Sequence, residues 1–164
     1  MRYATAGLLL AAMMIGGGCS AMHKNEKESH EKKLMPSDVP PKVMSAMDTR
    51  FQGAQYTSIT REEEKGNTIY DFELTQGGRK YEADVKEDGT IVEIEKAIEQ
   101  RDLPAPVADA INKKYPNATY KEVMEKSLVN GKQETPHEYE VVLTTSKGKE
   151  EEVTVSTDGK IVHE

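Results

Sequence analysis

Apolar positions along the chain switch between two periods. Val43, Met44, Met47 and Phe51 recur at three- and four-residue spacing, one stripe of a short helix. Pro40 and Pro41 stand where a first helical turn tolerates a missing N–H, Ser37 or Asp38 offers a cap, and Gly53 is placed to end the helix. The period then falls to two. Tyr56 to Thr60 is rich in β-formers. Tyr70, Phe72 and Leu74 alternate with Asp71, Glu73 and Thr75, and Tyr81, Ala83 and Val85 alternate with Glu82, Asp84 and Lys86. Turn signals at Gly66-Asn67, Gly77-Gly78 and Asp88-Gly89 separate these runs, and Thr90 to Ile94 follows as a fourth strand. Ile94 to Arg101 reads either as an extension of that strand or as a short helix.

The same grammar returns 64 residues later. LPAPVADAINKKYPNATY, from Leu103 to Tyr120, matches VPPKVMSAMDTRFQGAQY, from Val39 to Tyr56, with Pro104, Val107, Ala110, Ala118 and Tyr120 identical to Pro40, Val43, Ala46, Ala54 and Tyr56. Val107, Ile111 and Tyr115 rebuild the helical stripe, and Pro116-Asn117 ends it. Tyr139, Val141 and Leu143, a turn at Lys147-Gly148, Val153 and Val155, a turn at Asp158-Gly159, and Ile161-Val162 replay the strands. The difference is a longer, proline-bearing connection from Ser127 to Pro136, read as an insertion between the first two strands of the second copy. Helices of about three turns are not stable alone and must dock. The expectation is an α+β fold of two tandem repeats, 36–100 and 101–164, each a short helix packed on a four-stranded antiparallel meander sheet. Units of roughly 60 residues are near the lower limit for a self-sufficient core, so the two pack together or share a continuous sheet.

Residues 1–18 do not belong to that fold. One basic residue, Arg2, precedes an apolar run from Ala6 to Ile15 that is too short to span a bilayer and fits a secretory signal. Cys19, the single cysteine, follows directly. This arrangement resembles the lipobox of bacterial lipoproteins, in which the cysteine is lipidated and becomes the first residue. The match departs at Gly16, where a leucine-like residue is usual; cleavage after Ala21 as an ordinary signal peptide is the alternative. If lipidated, Cys19 anchors the chain to an envelope membrane, and Ser20 after it favours the outer one. Residues 19–35 read as a charged, flexible tether, and His23 and His30 within it as polar residues and not metal ligands.

The chain carries 29 acidic against 22 basic residues, a net charge of −7, which argues against nucleic acid as a partner. It contains no phosphate loop and no zinc or serine-hydrolase motif. His137 and His163 fall at strand ends, and Asp88-Gly89 and Asp158-Gly159 are explained as hairpin turns. No catalytic residue, metal site or cofactor is therefore expected. Period two does place Asp71, Glu73, Glu82 and Asp84 on the face away from the helix in the first repeat. It places Glu138, Glu140, Glu150 and Glu152 there in the second. Those acidic faces are either solvated surfaces that discourage sheet stacking or docking sites for a cationic protein or peptide. Tyr56, Tyr120 and the Ser127–Pro136 segment are the accompanying candidates near an edge. A cation- or small-ligand-binding envelope protein is the alternative function.

Leu103-Pro104, Val107, Ala110-Ile111, Lys114-Tyr115-Pro116, Ala118, the strand Tyr139, Val141, Leu143, and Asp158-Gly159-Lys160-Ile161 together resemble the PepSY-like, beta-lactamase-inhibitor-like domains of bacterial envelope proteins. The first repeat is the weaker copy, with Arg50-Phe51 and Gln52-Gly53 in place of Lys114-Tyr115 and Pro116-Asn117. The resemblance implies a helix over one face of a four-stranded sheet, no enzyme and no cofactor. It also implies a non-catalytic module that grips a secreted or periplasmic enzyme with the open sheet face.

Overall fold

The computed structural model describes residues 33–64 and 66–163. Cys19, the signal segment 1–18 and most of the tether lie outside the described residues. Two helices, α1 (Pro41–Arg50) and α2 (Ala105–Lys114), each precede four strands: β1 (Gln55–Glu64), β2 (Asn67–Gln76), β3 (Arg79–Lys86) and β4 (Ile91–Ala97), then β5 (Thr119–Asn130), β6 (Gln133–Thr144), β7 (Glu150–Ser156) and β8 (Ile161–His163). The strands do not form two four-stranded sheets. They form one eight-stranded antiparallel meander in chain order, because β4 pairs with β5 from Glu93↔Leu128 to Ala97↔Met124. Units too small to bury a core alone thus share one continuous sheet.

Both helices lie on the same side of it. Val43, Met47 and Phe51 bury against Ile59, Phe72, Leu74, Ala83, Val85 and Ile94, while Val107 and Ile111 bury against Val123, Val141, Leu143, Val153 and Val155. Between the two apolar clusters, the helix side carries polar groups. Ser127 sits opposite Ile94, the Lys96 ammonium lies 2.7 Å from Glu125, and the Tyr139 hydroxyl donates to Glu125 at 3.4 Å.

Three local expectations change, and one open reading is resolved. Ser37 and Asp38 do not cap α1; Pro40 stands at its start, and the Asp38 carboxylate instead accepts a hydrogen bond from the Met35 N–H at 3.1 Å, closing a 3-10 turn over Pro36–Asp38. The tether ends earlier than expected, since the Leu34 N–H bonds to the Ile59 carbonyl at 2.8 Å and its side chain packs on the first cluster. Strand β4 runs to Ala97, and a 3-10 turn at Gln100–Asp102 follows. Ser127–Pro136 is no loop but the far end of a long β5–β6 hairpin turning at Gly131. Pro136 is tolerated because it sits at a register shift, where a missing N–H breaks no regular ladder. The hairpin tip reaches back to the first half: Val129 packs on its core and Glu134 pairs with Arg50 of α1.

The two Asp-Gly turns seat the helices. Gly89 and Gly159 have φ of +88° and +87°, and a Cβ there would lie 2.8 Å from the Lys42 carbonyl oxygen and 2.6 Å from that of Pro106, respectively. Each turn therefore abuts the first turn of its helix. Gly159→Ala is expected to cost ~1–3 kcal/mol in urea unfolding, because it adds left-handed strain to a clash with backbone that cannot move aside. A loss below ~0.5 kcal/mol would mean that α2 shifts freely over the sheet.

Candidate binding face

The sheet side away from the helices is the candidate site. Directly opposed residues of antiparallel strands point to the same side, so the register reads off this face. Asp71 stands opposite Asp84, and Asp84 opposite Glu93; Glu73 stands opposite Glu82, and Glu82 opposite Glu95. Two rows of three carboxylates thus cross β2, β3 and β4. Like charges directly opposed in a ladder are destabilising. The second row continues across β5 and β6, where Glu95 meets Lys126 and Lys126 meets Glu138.

Lys126 is the cation at the junction of the two halves. Only 6% exposed, it is paired to Glu95 and lies 3.5 Å from Glu93 and 3.8 Å from Glu140. Burial alone would lower its ammonium pKa, but the pull of Glu95, Glu93 and Glu140 outweighs that and raises it, so Lys126 stays charged. His137 Nε2 lies 2.8 Å from Glu93, an orienting carboxylate that the sequence did not reveal. Lys80 reaches from β3 to β5, 2.9 Å from Glu82 and 3.0 Å from Glu122.

The carboxylates outnumber these cations, and their acidities reflect it. Asp71 is pushed up to about 8, first by burial and then by Asp84, Glu82, Glu73 and Glu62. Glu95 is pushed up to about 8 by burial, against the pull of Lys126, and Glu140 up to about 7 on the same balance. A carboxyl whose folded pKa lies above its unfolded value contributes stability that is fully present below the unfolded pKa, near 4. That contribution is lost as pH rises through the folded pKa. The protein is therefore expected to lose ~2 kcal/mol or more between pH 5 and pH 9, read from urea midpoints. A flat or rising profile over that window would mean that these carboxyls are ionised and compensated throughout.

Of the residues singled out in the sequence, Asp71, Glu73, Glu82 and Asp84 come together on this face across β2 and β3, and Glu138, Glu140 and Glu152 share it across β6 and β7. Glu150 is exposed at the start of β7, away from the buried group. Tyr120 is not on this face. It pairs with Leu143, packs on the second core, and its hydroxyl faces Asn112 of α2 at 3.5 Å. Tyr56 likewise stacks edge to face on Phe72 on the helix side and donates to Asp48 at 2.8 Å. Glu93, Glu95, Lys126 and His137, which join the two acidic groups, were not among the expected residues. Among the described residues, no three His, Cys, Asp or Glu side chains are arranged to hold a metal ion.

The family described as "Putative beta-lactamase-inhibitor-like, PepSY-like" matches residues 24–86 and again 68–163. The chain belongs to the PepSY-like family. Solved structures share the PepSY-like fold at low identity. A protein of Bacteroides eggerthii aligns with a TM-score of 0.54 at 13% identity, over 76% of this chain and 86% of its own. A DUF2874 family protein of Bacteroides uniformis aligns with a TM-score of 0.53, also at 13% identity, over 76% of this chain and 87% of its own. No curated protein matches the sequence of this PepSY-like chain.

Proposed function

We propose that this PepSY-like chain is an exported, non-catalytic binding protein that holds a cationic surface of a partner protein on the open face of its sheet, restraining a secreted or periplasmic enzyme. The observation that carries this reading is the pair of carboxylate rows, Asp71–Asp84–Glu93 and Glu73–Glu82–Glu95, each opposing like charges on neighbouring strands. A solvated face that only needed to stay soluble could mix signs across its pairs. A partner's cations would supply the compensation that Lys126 and Lys80 provide in part. The family's inhibitor-like description supports a protein target, and the Bacteroides eggerthii protein is described as a "putative periplasmic" protein, in keeping with an exported location. Lipidation at Cys19 would tether the tandem module to a membrane.

Tethered full-length protein is expected to retain one defined protein from an envelope extract at low salt and release it at moderate salt. A copy with Glu73, Glu82, Glu138 and Glu140 changed to Gln should lose it. Affinity should rise from pH 5.5 to 8.5 as Asp71, Glu95 and Glu140 ionise, the opposite trend to stability. Equal retention by both copies would reduce the acidic face to a solvated surface.

A further inference from the structure

One corner of the open face holds three polar groups that make no hydrogen bond among the described residues. Thr154 on β7 stands opposite Glu140 on β6 and, on its other side, opposite His163 on β8. Its neighbours Val153 and Val155 turn into the helix-covered core, so the alternation of the strand aims Thr154 onto the open face with Glu140 and Glu152. Thr154 is 3% exposed, and its Oγ1 has no hydrogen-bond partner among the described residues. Buried hydroxyls are nearly always bonded, and an orphan marks either a cost or a missing partner. Among the described residues, Glu140 also makes no hydrogen bond, its nearest cation being Lys126 at 3.8 Å; Glu152 has none either, and meets His163 and Lys126 only through their charge.

The first half holds acids throughout the same part of the face. Asp71 and Asp84 are opposed there as Glu140 and Thr154 are here, with Glu82 two residues before Asp84 as Glu152 is before Thr154. Among these positions, the second half alone replaces a carboxylate with a neutral hydroxyl, which can accept from a donor while two flanking carboxylates neutralise it.

We propose that Glu140, Glu152 and Thr154 form a subsite for one arginine side chain of the partner, an inference that rests on the docking reading above. A guanidinium presents five N–H donors in a flat fork, enough for two carboxylates and one hydroxyl at once, and it loses less hydration on burial than an ammonium does. Lys126 already occupies the side of Glu140 facing β5, so the incoming cation meets Glu140 from the β7 side.

The test uses the full-length protein and capped hexaarginine and hexalysine peptides, with binding followed by calorimetry. Hexaarginine should bind more tightly than hexalysine. Glu140→Gln should weaken hexaarginine roughly tenfold and Thr154→Val roughly fivefold, while Thr154→Ser, which keeps the hydroxyl, should bind like the parent. Thr154→Val should also melt higher than the parent, since it removes an unsatisfied buried group; lower affinity with higher stability separates a lost ligand contact from a damaged fold. Unchanged hexaarginine affinity in Thr154→Val would overturn the subsite while leaving the docking face intact. No binding of either peptide by the parent would overturn both.

Discussion

Lys126→Met is expected to remove about 3–5 kcal/mol of stability at pH 8.5, the largest effect of any single change on the open face. Methionine keeps most of the aliphatic stem, so packing is nearly conserved and the loss is that of the charge. Glu95, Glu93 and Glu140 would then face one another in a site where Lys126 itself is 6% exposed, with no ammonium between them. Glu95 and Glu140, whose acidities burial already raises, can answer by taking up protons. The gap between variant and parent should therefore narrow to about 1–2 kcal/mol at pH 5, where protonation has already removed much of the charge that Lys126 compensates. Urea titrations at the two pH values check this. A gap of the same size at both would assign the loss to packing and remove the electrostatic account of the junction.

Phe72→Ala should cost about 3–5 kcal/mol. Phe72 has no exposure and lies between Ile59 and Ala83 in the ladder, with the Tyr56 ring edge-on at 5.5 Å. The small Ala83 beside it leaves the ring to fill the space under α1. The damage should also be uneven. The helix side between the two clusters carries Ser127, Lys96 and Glu125 in place of apolar side chains, so backbone pairing and charge join the halves there more than shared core does. Amide exchange in Phe72→Ala should accelerate in β1 to β3 well before β6 and β7. Equal acceleration everywhere would mean that the eight strands open as one unit.

Where one side of a strand is core and the other is wet, the alternation was legible. Tyr70-Asp71-Phe72-Glu73-Leu74 told both the fold and half of the acidic face in five residues. The reading failed where that contrast is lost. In β5, Val123 buries under α2 and Met124 buries on the open face, so consecutive residues are both apolar and period two disappears. Lys126, two positions on, looks like any surface lysine until the pairing of β5 with β4 and β6 brings Glu93, Glu95 and Glu140 to it. Ile91 and Ile94 in β4, with Ile98 just past its end, suit a helix as well as a strand, so the sequence leaves Glu95 without a face. Pro136 suggested a loop because a proline rarely sits within a sheet, and only the register shift opposite Ser127 lets it stay. Tyr120 reads from the sequence as an aromatic anchor near an edge, but its ring packs on the second core, because sequence alone does not say on which side of the sheet an edge aromatic falls.

The order of the strands has a kinetic meaning. Every strand pairs with its immediate neighbour in the chain, and seven pairings complete the sheet. Six of them close across tight turns; only β4 to β5 must close around a longer excursion, the segment carrying α2. Loop-closure entropy is therefore small at nearly every step, and the search for the native topology is dominated by local events. A chain that emerges end first, from a ribosome or through a membrane pore, can add strands in the order they appear, with each new hairpin templated on the edge already formed.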